Sequence, residues 1–417
     1  MNNNKVEKFY FGASSSAHQA EGGQRNDWSE WEIRTATGKA HNARNRPPTG
    51  GWPAYILERH PNPLEETNYV AGRAADHWHR YEEDFDLAKE LGHTAHRFSI
   101  EWSRVEPEEG RFDERALAHY RDVVRALRAR GMEPFVTLWH WPLPLWLARK
   151  GGWESSAAIG AFAKYAGRVA AYLKDDVKFW IPLNEPEIYA NMSYLNGTWP
   201  PQVKNPLRML RVLSHLIRAH RAAHPVLKGI NPSCRVGIAK NNIHFEAAGR
   251  NQWNELLKAV ADWWWNRLPL DLTNDTLDFI GLNFYFHNRI DGWFNRNRNE
   301  RINDIGWELA PESLFHALMD LKRYEKPVYV TENGLADARD LHRAEYIHEA
   351  LRAVKRAVGN GVDVRGYFHW ALTDNFEWAD GFWPRFGLVE VDYQTLTRRP
   401  RASAQAYKNL IERWPNI

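Results

Sequence analysis

Short apolar runs rich in β-branched and aromatic residues alternate along this chain with longer stretches in which apolar residues return every three or four positions. The short runs Phe9–Ala13, Ala95–Ile100, Pro134–Leu138, Val177–Leu183, Arg235–Ala239, Phe279–Asn283, Pro327–Thr331 and Val364–Trp370 predict eight strands. Between them, Tyr81, Phe85 and Ala88 share one helical face, as do Leu117, Tyr120, Val124 and Leu127. Phe162, Ala166, Val169 and Leu173 do the same, and later Ile347, Leu351, Val354 and Val358. A strand–helix alternation of this kind predicts an α/β protein, a single (β/α)8 TIM barrel over residues 1–417. The competing architecture, an open doubly wound sheet, would want a Gly-rich phosphate turn after its first strand. The segment there, GASSSAHQAEGG, lacks the G-x-G-x-x-G spacing.

No linker, repeat or low-complexity tract divides the chain. Gln24 to Gly72 reads as a long loop overhanging the C-terminal mouth of the barrel, where active sites of this fold sit. The apolar fraction of 43% supplies a large core, and the net charge of +3 carries no basic stripe that would predict nucleic acid as a partner. Arg296, Arg298 and Arg301 are spaced among Asn residues and read as a solvated loop. Cys234 is the only cysteine, so neither an internal disulfide nor a thiolate metal cage is available. With no apolar run of signal-peptide or membrane-spanning length, a cytoplasmic protein is expected. The 21 tryptophans stand out, because the C–H face of a sugar ring lies flat on an indole.

Chemistry collects at the strand ends. The first strand is followed by His18, Gln19 and Glu21, and the second carries Arg97. The third runs into Trp139, His140 and Trp141, and the fourth into Asn184, Glu185 and Pro186. The sixth ends in Asn283 and Tyr285, and the seventh in Glu332, Asn333 and Gly334. The eighth leads through Trp370 to Asp374, Asn375, Glu377 and Trp378. In a barrel these converge on one pocket. Val328 and Val330 share strand parity with Glu332, so valines filling the barrel interior would turn Glu332 to its mouth. Two buried carboxyls, Glu185 and Glu332, raise each other's pKa and supply one neutral and one ionised group. That pairing cleaves glycosidic bonds. A metal-dependent hydrolase would draw on His18, His140, His369 or the His77-x-His79 pair, but that pair lies outside any predicted strand. A sugar-binding protein without activity would be expected to lack one Glu, and both are present.

The blocks FGASSSAHQAEG, HRYEEDFDLAKELG, HRFSIEWSRVEP, LWHWPLPLWL, LNEP, GLNFY, TENG and DNFEWADGFWPRFGLVEVDY occur in that order, and with them the chain resembles glycoside hydrolase family 1, the β-glucosidase and β-galactosidase family. The resemblance implies a retaining β-glycosidase with Glu185 of LNEP as acid/base and Glu332 of TENG as nucleophile, about 5–5.5 Å apart. It implies that Asn184 binds the sugar 2-hydroxyl and that Arg97, Asn283 and Tyr285 support the carboxylates, Arg97 and Tyr285 holding Glu332 ionised. Gln19, His140, Trp141, Glu377 and Trp378 would bind substrate, over a platform of Trp370. It implies small-molecule β-glycosides or oligosaccharides as partners, with no cofactor and no metal. Glu377 disfavours 6-phosphosugars, because an anion would face a carboxylate. Only about 40 residues separate Ala239 from Phe279, where family members usually have more, which implies a trimmed rim filled by Trp263, Trp264 and Trp265.

Overall fold

The computed structural model describes residues 8–414. Strands β1 (Tyr10–Ser14), β2 (Ala95–Ser99), β3 (Glu133–Trp139), β4 (Phe179–Leu183), β5 (Arg235–Ala247), β6 (Phe279–Ile290), β7 (Val328–Asn333) and β8 (Val364–Trp370) form a closed barrel in chain order. β8 closes on β1 in parallel, Gly12 facing Phe368. All eight predicted strands are present, the first displaced by one residue at each end. This is the (β/α)8 barrel.

Alternation along the strands sorts the side chains into two cores. Inward positions supply Tyr10, Phe135, Phe179, Phe279, Tyr329 and Phe368, which plug the barrel floor together with Ala95, Ile181 and Ala239. Phe135 and Phe179 stack at 4.2 Å. Outward positions such as Val136, Ile238, Ile280, Val328 and Val330 join one large cluster with the apolar faces of the surrounding helices. Leu117, Tyr120, Val124 and Leu127 of helix Glu114–Ala129 are fully buried there, and Asp113 caps that helix by accepting from the N–H groups of Arg115 and Ala116.

Three details differ from the sequence reading. The Gln24–Gly72 segment is not an open loop: it holds a helix, Asp27–Asn45, begun by a reciprocal cap between Asn26 and Ser29. Its buried face is built from Trp28, Trp31, Glu32, Ala36, Ala40 and Ala43, an Ala/Trp stripe in a mostly polar stretch. β5 and β6 run past the barrel rim as a paired ribbon to Ala247 and Ile290. Phe245, Ala261 and Ile290, with Ile243, Leu257 and Trp265 beside them, form a separate apolar cluster that supports the ribbon. Finally, the interior of β7 is filled by Tyr329, not by the valines, which face the helices. Register shifts between Val330 and Asn333, and opposite them between Leu282 and Asn283, reset the alternation so that Glu332 still points into the mouth.

The aromatic floor leaves no room at Gly237, where a Cβ would sit 2.4 Å from the Phe279 ring. Gly237→Ala is therefore expected to destabilise the protein by about 1–3 kcal/mol, read as a lower denaturant midpoint at unchanged slope. An unchanged midpoint would mean that the floor is loosely packed.

Candidate active site

The barrel mouth encloses a cavity of about 360 Å3. Of the sequence-predicted residues, His140, Trp141, Glu185, Tyr285, Glu332, Trp370, Glu377 and Trp378 line it. Arg97, Asn184, Asn283 and Gln19 are buried just behind that lining and reach it through hydrogen bonds.

Glu332 ends β7. One carboxylate oxygen forms an ion pair with Nη1 of Arg97, and the other accepts from the Tyr285 hydroxyl at 2.9 Å. Arg97 is fully buried, and its other nitrogens donate to Asn184 Oδ1 at 2.6 Å and Thr137 Oγ1 at 3.1 Å. One guanidinium thus ties together β2, β3, β7 and the end of β4. Glu185 follows β4 with a left-handed backbone (φ 42°), just before Pro186 starts a short helix. Its Oε1 accepts from two neutral amides, Asn283 Nδ2 at 2.9 Å and Asn241 Nδ2 at 3.1 Å. Asn283 in turn accepts from Thr331, the neighbour of Glu332, at 2.7 Å.

These surroundings separate the two carboxyls. Burial, then the charges of Glu332 and Glu187, push Glu185 up to about 8, against the two amide donors. Burial also raises Glu332 above the usual glutamate range, and the Arg97 charge, with donors from Arg97 and Tyr285, opposes it. Arg97 and Tyr285 act on Glu332 in the lowering direction that the sequence predicts, and burial outweighs them. Arg97 gives Glu332 the cationic partner that Glu185 lacks, so Glu332 is the one to ionise first.

Another part of the cavity wall is built around Glu377 and stacked rings. Gln19 Nε2 donates to Glu377 at 3.3 Å and to Asn375 at 3.1 Å, while Ser16 donates to its Oε1 at 2.7 Å. Enclosure and the negative charges of Asp380, Glu332 and Glu185 hold Glu377 well above the usual carboxylate range. His140 lies nearly parallel to Trp370 and Trp378 at 5.9 Å from each, and its Nε2 accepts from Asn184 at 3.1 Å. Burial and the Arg97 charge keep it neutral. Trp141 Nε1 donates to the Asn184 carbonyl at 3.0 Å.

Sequence reading missed Asn241, Trp199, Trp307 and Phe286 in this wall. Asn241 was the findable one, a polar residue two positions beyond the predicted fifth strand. Asp374 turns away and is held between Arg401 and Arg385. His18 is spent on Glu32 at 2.6 Å, and His77 on Asp84 at 2.6 Å. A larger outer cleft of about 550 Å3, on the β5–β6 ribbon, holds His244, His287 and His316. There His244 and His316 stack face to face at 4.3 Å, and His287 is held between Glu246 and Glu308. Among the described residues no group of three or more His, Cys, Asp or Glu is arranged to hold a metal ion. No helix among them is long and apolar enough to cross a membrane.

A barrel whose mouth pairs a carboxylate held by arginine with a carboxyl held by neutral amides defines the class of hydrolases that act on O-glycosyl bonds. The sequence matches the description Glycosyl hydrolase family 1 over residues 1–266 and 269–414, and the chain belongs to that family. It is 32% identical to β-glucosidase A of Thermotoga maritima, over 81% of this chain and 87% of the relative. It is 30% identical to a β-galactosidase of Pyrococcus woesei, over 79% and 85%. The structure is similar to a β-glycosidase from Pyrococcus horikoshii, with TM-score 0.83, 36% identity, and coverage of 97% of this chain and 93% of that one. It is also similar to the Thermotoga maritima β-glucosidase in complex with glucoimidazole, with TM-score 0.83, 29% identity, and coverage of 97% and 98%.

The charge of Glu332 is one of the causes that raise Glu185. Glu332→Gln removes it, so the Glu185 carboxyl should titrate at lower pH than about 8. Carbon NMR of labelled glutamate carboxyls reads this directly. A Glu185 titration that stays in place would break the coupling.

Proposed function

We propose that the protein is a retaining β-glycosidase that hydrolyses terminal non-reducing β-D-glucosyl residues, with Glu332 as nucleophile and Glu185 as acid/base. The observation that carries this reading is the unequal treatment of two buried carboxyls in one cavity: Glu332 on Arg97 and Tyr285, Glu185 on Asn283 and Asn241. The names of the relatives, β-glucosidases and β-galactosidases, support the substrate class.

In the first step the Glu332 carboxylate bonds to the anomeric carbon as the C1–O bond to the aglycone breaks, and Glu185 gives its proton to the departing oxygen. Glu332 is then a neutral ester, which no longer repels a negative charge on Glu185. Glu185 can take a proton from water, whose oxygen bonds to C1 as the ester breaks and the Glu332 carboxylate returns. Two inversions leave the configuration unchanged. Gln19, Glu377, His140 and Trp378 bind the sugar hydroxyls, Asn184 the 2-hydroxyl, and Trp370 underlies the ring. Trp141 shapes the same wall. Arg97, Asn283 and Tyr285 position the carboxylates. The whole chain is read as one catalytic domain working on small β-glycosides without metal or cofactor. Its single buried cysteine fits the cytoplasm as its location.

Initial rates on aryl β-glucoside, galactoside, fucoside, mannoside and 6-phosphoglucoside, with and without chelator, test the reading. Release from the neutral sugars is expected to be led by glucoside and unchanged by chelator. Folded protein that turns over no neutral β-glycoside would end the proposal. Glu332→Ala should abolish turnover, and full activity would remove Glu332 from the role. Because the acid must carry its proton, kcat/KM should fall as pH rises through about 8. A profile flat to well above that pH would contradict Glu185 as the acid.

A further inference from the structure

Close to Glu185, outside the lining of the cavity, lies a buried ion pair that the chemistry above does not use. Lys240 on β5 has no solvent exposure, and its ammonium sits 2.9 Å from Glu187 Oε1. Glu187 lies two residues past Glu185, on the short helix Pro186–Ala190. Both partners also grip the same residue: Lys240 Nζ donates to the Asn241 carbonyl, and the Asn241 N–H donates to Glu187 Oε1 at 2.9 Å. Asn241 is thus clamped on both of its backbone polar groups, and its side chain donates to Glu185. The segment between β5 and β6 seals the arrangement, with the Trp265 ring 5.7 Å from the Lys240 ammonium and Trp264 and Trp265 walling a small cavity beside Glu187.

We propose that the Lys240–Glu187 pair is a positioning device for the acid/base, holding Asn241 so that, with Asn283, it fixes Oε1 of Glu185 as the accepting oxygen and leaves Oε2 to carry the proton. This rests on Glu185 being the acid. Replacing a buried pair by apolar residues often costs no stability, so stability alone gives it little reason to be there. A carboxyl that accepts two N–H donors at one oxygen carries its proton on the other, and the clamp decides which. The groups that face Glu185 are Glu332 with Arg97 behind it, Tyr285 and Asn283 from β6, His140 through Asn184, Glu377 beyond β8, and this pair.

The test compares a substrate that needs its leaving group protonated, an alkyl β-glucoside, with one that does not, 2,4-dinitrophenyl β-glucoside. In Glu187→Gln, Lys240→Met and Asn241→Ala, kcat/KM on the alkyl glucoside should fall by about tenfold or more relative to the dinitrophenyl glucoside. Lys240→Arg, which keeps the charge, should recover part of the loss. The alkaline limb of the Glu187→Gln profile should move to lower pH, because a negative charge near the acid is gone. If either pair variant fails to fold, Asn241→Ala decides alone. Asn241→Ala with an unchanged substrate ratio and an unchanged alkaline limb overturns the proposal. Glu185→Gln, run alongside, separates the two readings: if it keeps full activity on the alkyl glucoside, the assignment of the acid itself has failed, not the clamp.

Discussion

Arg97 is a single cation, wholly enclosed by the barrel top, and the arrangement of the mouth follows from how its donors are shared out. One goes to Glu332, one to Asn184 and one to Thr137. Burying a lone ion costs several kcal/mol even after relaxation, so the guanidinium and the Glu332 carboxylate each hold the other in place. The bond to Asn184 then fixes the residue beside Glu185, and the Asn184 side chain donates to His140. Through that one side chain the positions of Glu332, the residue adjoining Glu185 and the His140 imidazole become a single geometric fact. Arginine suits this because it stays charged and its planar fork serves several acceptors at once.

The barrel was legible because eight apolar runs and the helical faces between them have different periods, and periodicity reports burial directly. What was not legible is where the period breaks. The valines of β7 were expected inside and lie outside, yet Glu332 reaches the mouth because the ladder slips by a residue next to it. An unmarked bulge reverses a parity argument without leaving a trace in composition. The helix Asp27–Asn45 hid for a related reason, since alanine and tryptophan among charged residues make a weak apolar stripe. At the site, residues on strand ends were found by position. Trp199 and Trp307 come from segments between strands, and nothing local distinguishes them from the tryptophans Trp102, Trp139, Trp153 and Trp180 that pack in the core.

The cavity also stores strain. Trp141, Glu185 and Trp378 have positive φ values of 90°, 42° and 47°, without being glycine. Each such residue costs about 1–3 kcal/mol and persists only where its surroundings hold it. The holding contacts are present: the Glu185 N–H donates to the Ala239 carbonyl at 2.8 Å, and the Trp141 indole donates to the Asn184 carbonyl. Trp378 packs against Trp141 and stacks on His18. Backbone that is costly to form is also costly to deform differently, so Glu185 and two rings of the cavity wall are placed with little freedom.

Charge then decides which sugars fit this fixed shape. Glu185, Glu332 and Glu377 line the cavity together with Asp380, and the nearest full positive charge, Arg97, is already committed to Glu332. Lys39, the cation whose charge acts on Asp380, is folded over the Trp31 ring at 3.8 Å and does not line the cavity. Among the described residues no Lys or Arg lines the cavity, so an anionic group entering here would find no cation in its wall to pair with. Under the function proposed above, a neutral sugar offers hydroxyl protons to Glu377 and an apolar C–H face to Trp370. Burial first, and then the charges of Glu332 and Glu187, hold the proton on Glu185 at neutral pH. Glu332 thus contributes both to the negative character of the cavity and to holding the proton on Glu185.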